Sequence, residues 1–341
     1  MKQEYYIDIP EVNLGMLNRW AFAAGVRRFS LKELKTATEN FAHGNICCRK
    51  GFCKLYKGEL ENGFIVAVKR FEQQGISRAQ PLLKAEVETM RIAVHPNILG
   101  LVGVCITQNE KLLVYPFMVN ITVGSCLRDR PKSQPPLDWP VRKRIALGAA
   151  RGLSYMHDEC ESKIIHRDVK AANIYLNEDF DAIIGNFELA IPTDHGVTRV
   201  EKNVGGTFGH VAPEYLSDGI CSAQSDVYSY GIFLLELVTC QRAYEEDMLL
   251  VDWVKKILEE KKWEGIVDLD FEEGVEQLIH IALLCTEDNP EKRPRMSDIV
   301  TMLQLIGDGL LAQRWEEFSR HEEMHFNFNS PPFYTINKMT L

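Results

Sequence analysis

The chain has 341 residues, 45% hydrophobic and 26% charged, the balance of an ordinary folded protein large enough to bury a substantial core. Its 39 basic and 48 acidic residues leave a net charge of −9, which gives no electrostatic reason to expect nucleic acid or an anionic membrane as a partner. Nine cysteines, at 47, 48, 53, 105, 126, 160, 221, 240 and 285, are odd in number and lack metal-ligand spacing, which fits reduced thiols better than a disulfide framework.

Along the chain, residues 1–28 are weakly patterned and read as a leader. Lys54–Leu60 and Phe64–Phe71 flank Glu61-Asn62-Gly63, and an Asn-Gly between two such runs predicts a hairpin. Arg78–Ala93 carries apolar residues at 83, 87 and 90 on one face and predicts a helix. Short strands follow near Leu101–Ile106 and Leu112–Tyr115, completing a sheet-rich unit at 29–118. Beyond it the pattern turns helical through 119–309. Asp138-Trp139-Pro140 predicts a helix start, with Ile145, Ala149, Leu153 and Met156 at turn spacing behind it. Further helices are predicted at 224–239, 275–286 and 297–306, and 310–341 reads as a terminal helix fading into a tail. No run approaches the ~20 apolar residues of a membrane span. The most apolar, Gly231–Val238, is broken by Glu236, and neither Met1-Lys2-Gln3 nor Met339-Thr340-Leu341 is a targeting or lipidation signal, so a cytoplasmic chain is expected.

The chemistry concentrates in a few stretches. Val66-Ala67-Val68-Lys69 ends a predicted strand in a lysine, and Glu86 on the next helix is spaced to pair with it across a cleft. His166-Arg167-Asp168-Val169-Lys170-Ala171-Ala172-Asn173 combines a carboxylate, a lysine two residues on and an amide beyond it. Phosphoryl transfer needs a charge partner for phosphates, a group beside the attacking hydroxyl, metal ligands and a loop over the phosphates. The eight-residue run matches the catalytic loop of a protein kinase. With Arg28-Phe29-Ser30-Leu31, Gln134-Pro135-Pro136-Leu137-Asp138-Trp139-Pro140, Gly209-His210-Val211-Ala212-Pro213-Glu214-Tyr215-Leu216, Trp253-Val254-Lys255 and Arg314-Trp315-Glu316-Glu317, the chain resembles the plant receptor-like kinases, most closely the somatic embryogenesis receptor kinase family. The resemblance runs from about Pro10 to the tail, with Asn18–Val26 as an extra segment against the family's register.

That resemblance implies an α+β, bilobal protein-kinase fold with a small sheet-rich N-lobe and a larger helical C-lobe. It implies ATP between the lobes, bounded by Leu55, Ala67, Lys69, Glu86, Pro116, Met118 and Tyr175. Asp168 would accept the substrate hydroxyl proton, Lys170 would steady the phosphate, and Asn173 would offer its oxygen to a metal. It also implies Ser/Thr substrates, and other receptor-like kinases as partners that could hold the chain at the plasma membrane. Oligomeric state is left undefined. A spine of Leu101, Met90, Phe187 and His166 anchored by Asp226, and a brace between Glu214 and Arg293, are expected as structural features.

Four places depart from the family's pattern. Cys48, Lys50 and Cys53, around Gly51-Phe52, replace the glycines of the phosphate loop, whose value is close backbone approach. Asn186-Phe187-Glu188 stands where Asp-Phe-Gly is expected, so the magnesium-holding carboxylate is an amide and the hinge glycine a glutamate. Tyr175 replaces a leucine under the adenine ring, with two readings open: it fills the adenine slot, or it turns its hydroxyl to solvent. In the activation segment, 186–214, Glu201 and Lys202 replace phosphorylatable threonines and leave Thr198 and Thr207; Glu201 is expected to pair with Arg167 in place of a phosphate. ATP binding is therefore expected to be weak and Mg or Mn use doubtful. The function expected is a pseudokinase that regulates partner kinases by contact, with a slow but real Ser/Thr kinase as the alternative.

Overall fold

A computed structural model describes residues 26–50, 53–72, 76–131, 133, 135–260 and 274–306. Residues 1–25, which hold the leader and the extra segment up to Gly25, lie outside the described residues, as do Gly51-Phe52, Gln134, Arg314-Trp315-Glu316-Glu317 and the 310–341 tail.

The N-terminal unit is a six-stranded sheet in the order β1-β5-β6-β4-β3-β2. Its strands are β1 (Arg27–Arg28), β2 (Ile46–Lys50), β3 (Cys53–Glu59), β4 (Ile65–Phe71), β5 (Gly103–Ile106) and β6 (Lys111–Pro116). Arg27 and Arg28, read from sequence as the end of the leader, run parallel to β5 as the sheet's edge. The predicted hairpin forms, and Gly63 takes the φ of 79° that its turn requires. Strand alternation divides the sheet's two faces. Val66, Val68, Leu112 and Val114 pack with Leu34 of helix α1 (Leu31–Ala37), which begins in a capping box of Ser30 and Glu33. Ala67, Phe71, Leu113 and Tyr115 face the other way, onto Leu83, Val87 and Met90 of α2 (Ile76–Ile92).

Past Pro116 the chain builds a helical unit: α3 (Val123–Arg128), α4 (Trp139–Ser154), α5 (Pro213–Asp218), α6 (Ala223–Thr239), α7 (Leu250–Glu259), α8 (Val275–Cys285) and α9 (Met296–Gln304). Asp138 caps α4 by accepting from Val141 N at 2.9 Å, with Pro140 in the first turn as predicted. The helix ends at Ser154, and Met156 falls in a wider π-helical turn, Tyr155–Glu159, still fully buried. α6 is buried on all sides; Arg142 of α4 donates to its final carbonyls at Leu237 and Val238, which answers the unpaired C=O groups of a helix end. Short strands carry the loops between the two units: β7 (Lys163–Ile165), β8 (Ile174–Leu176), β9 (Ala182–Ile184) and β10 (Ile191–Thr193). The β8–β9 hairpin sets Asn173 and Asn186 at its two ends, so the segments on either side meet below the sheet.

Candidate active site between the lobes

Lys69 is on β4, directly across the ladder from Leu55 on β3, and Ala67 is across from Tyr115 on β6. Its ammonium lies 2.6 Å from Glu86 Oε2, the predicted pair, and Tyr115 donates to the other oxygen of Glu86 at 2.8 Å. A second carboxylate joins it: Glu188 Oε1 is 2.7 Å from Lys69 Nζ. Burial disfavours the lysine's charge, but Glu86 and Glu188 outweigh it and hold the ammonium well above the ordinary lysine range. Cys53, expected from the sequence to replace a phosphate-loop glycine, is buried beside this cluster, and burial pushes its thiol up to about 11. β2 and β3 pair as far as Lys50 and Cys53, so the ladder continues into the loop.

The catalytic-loop residues come together as a second cluster. Asp226, fully buried on α6, accepts from His166 N at 2.7 Å and Arg167 N at 2.8 Å. These bonds hold Arg167 at a φ of 68°, in the left-handed region, and the loop turns there toward Asp168. The Asp168 carboxylate accepts from Thr207 Oγ1 at 2.6 Å and from Asn173 Nδ2 at 2.6 Å and lies 3.0 Å from Lys170 Nζ, while Asn173 Nδ2 also donates to the Asp168 backbone carbonyl at 2.7 Å. Lys170 also donates to Thr207 Oγ1. Burial raises the Asp168 carboxyl, but Lys170 and the hydrogen bonds from Thr207 and Asn173 outweigh it and hold it below the usual carboxylate range. A protein hydroxyl thus rests on the group expected to receive one from a substrate.

Asn186 adopts a φ of 65°, which asparagine tolerates better than most residues, and its amide nitrogen is 3.5 Å from Asp168 Oδ2. Phe187 behind it is fully buried, edge-on to His166 with ring centroids 5.2 Å apart, and Met90 and Leu101 belong to the same core. Tyr175 packs its ring against the backbone at Gly185, just before Asn186: a Cβ on Gly185 would meet Tyr175 Cε2 at 2.8 Å. Burial pushes its phenol up to about 12, and its ionisation is also influenced by Lys69, Cys48, Glu86 and Glu188. The ring is therefore packed on Gly185 and half-buried at the wall of the cleft.

One expectation is corrected. Glu201 is exposed on β11 (Val200–Glu201) and does not pair with Arg167. The Arg167 guanidinium donates instead to Leu189 O at 3.0 Å, Asn203 O at 2.8 Å and Tyr215 Oη at 2.9 Å. Neutral acceptors thus surround the guanidinium where a carboxylate was expected. Gly206, at a φ of 115°, makes the crossing possible, since a Cβ there would lie 2.6 Å from Arg167 O. The Glu214–Arg293 brace forms with both contacts at 2.8 Å.

Sequence reasoning missed two participants. Glu236 on α6 accepts from Ala171 N at 3.0 Å and lies 2.9 Å from His210 Nε2 and 3.1 Å from Arg128 Nη1, tying the catalytic loop to the activation segment. The signal was present, because a carboxylate interrupting an apolar helix has to find buried partners. Ile121 takes a φ of 57°, rare for a β-branched residue; its N donates to Met118 O and its O accepts from Leu176 N, binding the segment after β6 to the strand that carries Tyr175. No local signal in the sequence marks it.

Two lobes with a lysine–glutamate pair in one and the catalytic-loop run in the other define the protein-kinase fold. A profile of the protein tyrosine and serine/threonine kinase family matches residues 43–303, and the chain belongs to that family. It is 49% identical over 332 residues to the LRR receptor kinase SERK2 of Oryza sativa subsp. japonica, covering 94% of this chain and 54% of that protein. It is 48% identical over 336 residues to the probable LRR receptor-like serine/threonine-protein kinase At5g65240 of Arabidopsis thaliana, with 94% and 54% covered. The chain therefore spans about half the length of the curated relatives it matches. Among the described residues no helix is long and apolar enough to cross a membrane.

Proposed function

We propose that this chain is a pseudokinase of the receptor-like kinase type, acting in the cytoplasm by binding partner receptor kinases, at the plasma membrane where a partner is anchored there. The observation that carries the reading is Asn186. It stands where magnesium needs an anionic oxygen, and it presents an amide nitrogen toward Asp168. An uncharged amide at that position is a poor ligand for magnesium, and Asp168, the group expected to receive a substrate proton, is engaged by Lys170, Thr207 and Asn173. The intact framework around it, from the Asp226 anchor to the Glu214–Arg293 brace, supports a fold kept for contact.

A slow but real Ser/Thr kinase is the second reading. It is favoured by the Lys69–Glu86 pair and by the convergence of Asp168, Lys170 and Asn173. A radiolabelled phosphotransfer assay with magnesium or manganese decides between them. The pseudokinase reading expects no label above that of Asp168→Asn; labelling that Asp168→Asn abolishes would overturn it.

A further inference from the structure

Lys69 is held by two carboxylates, Glu86 at 2.6 Å and Glu188 at 2.7 Å, and all three side chains are mostly withdrawn from water. One ammonium against two carboxylates leaves the cluster with a formal charge of −1. Its effect on an incoming anion is large, because like charges a few ångströms apart interact far more strongly in a cleft than in water. Glu188 is not a loose surface residue that such an anion could push aside. The turn bearing it is pinned on one side by Phe187, buried against His166, and on the other by Leu189, whose carbonyl accepts from Arg167 at 3.0 Å.

We propose that Glu188 is a built-in anion occupying the seat on Lys69 that a nucleotide phosphate would take, so that the cleft selects an uncharged nucleoside-like ligand over its polyphosphate. The proposal rests on the pseudokinase reading and extends it to a ligand class. The rest of the wall suits such a ligand. Leu55 and Ala67 flank Lys69 on neighbouring ladder positions, and the phenols of buried Tyr115 and half-buried Tyr175, both shifted upward from an already alkaline range, carry no charge at ordinary pH. A polyphosphate, in contrast, would have to displace a carboxylate from a lysine without a metal carboxylate at Asn186 to compensate.

The test is isothermal titration of the whole chain with adenosine and with ATP, both in EDTA, for the wild type, Glu188→Gln and the exposed-site control Glu201→Gln. The expected result is adenosine binding more tightly than ATP in the wild type. Glu188→Gln should lower the ATP-to-adenosine ratio of dissociation constants by at least about tenfold, equivalent to about 1.4 kcal/mol, while Glu201→Gln leaves the ratio unchanged. Circular dichroism confirms that each variant is folded, and Glu188→Gly serves if the glutamine variant is not. An unchanged ratio in the Glu188 variant, tighter binding of ATP than adenosine by the wild type, or binding of neither ligand overturns the proposal. Phosphotransfer by the wild type would instead sink the pseudokinase reading, in an assay independent of this ratio.

Discussion

Around Asp168 the carboxylate is answered by a lysine, a hydroxyl from Thr207 and an amide from Asn173, all from the chain itself, with the hydroxyl standing where a substrate's is expected. Around Lys69 the charges are answered from within, by Glu86 and then again by Glu188. The two clusters share one interlobe space and are joined by the short segment from Gly185 to Leu189. The difference teaches how unlike the two halves of one cleft are in the charge they present. The half that would face a hydroxyl holds one from its own chain, and the half that would face phosphates holds a second carboxylate.

The largest way to break the comparison is at the anchor of the first cluster. Asp226→Asn leaves His166 N and Arg167 N with a poorer acceptor deep in the core, and should cost about 3–5 kcal/mol of stability, read by urea unfolding. A loss under about 1 kcal/mol would mean that the catalytic loop is held from elsewhere. Next comes Lys69→Met, which strands Glu86 and Glu188 and should cost about 2–3 kcal/mol, against about 1 kcal/mol or less for Glu188→Gln, where Lys69 keeps Glu86. Equal losses for the two would contradict the doubled pairing.

The smallest effect sharpens the picture of the cleft. Tyr175 has its phenol raised to about 12 in the folded chain, against the ordinary tyrosine value of 10.0. Because the folded value is the higher one, the stability linked to this group is complete below pH 10 and is lost as pH rises toward 12. Subtracting the alkaline absorbance titration of Tyr175→Phe from that of the wild type should leave one phenol ionising near the upper value. A difference curve centred on the ordinary value of 10.0 would place the hydroxyl in solvent.

Much of the fold was legible because its signals are local. The Asn62-Gly63 hairpin, the Asp138 cap and the turn-spaced apolar residues of α4 each act over a few positions. The Lys69–Glu86 pair and the Asp168 loop were legible through motif spacing. What sequence could not convey is which partner wins a shared group. Glu201 looked suited to Arg167, but the guanidinium is taken by three neutral acceptors brought in by the activation segment. Glu188 was readable as a carboxylate near the phosphates, yet its contact with Lys69 depends on how Asn186 and Phe187 turn the chain. Thr207 read as a leftover phosphorylatable residue and proves to be bonded to Asp168 and Lys170 across nearly the whole activation segment.

The most direct measurement is thermal unfolding of the chain in saturating ATP, with and without magnesium or manganese. A ligand at about 100 times its dissociation constant adds about 2.7 kcal/mol, well within reach of the method. If Asn186, as proposed, stands at the metal position as an uncharged amide, adding either metal leaves the ATP curve where it was. A clear metal-dependent rise in Tm would contradict the account and return the chain to the working kinases.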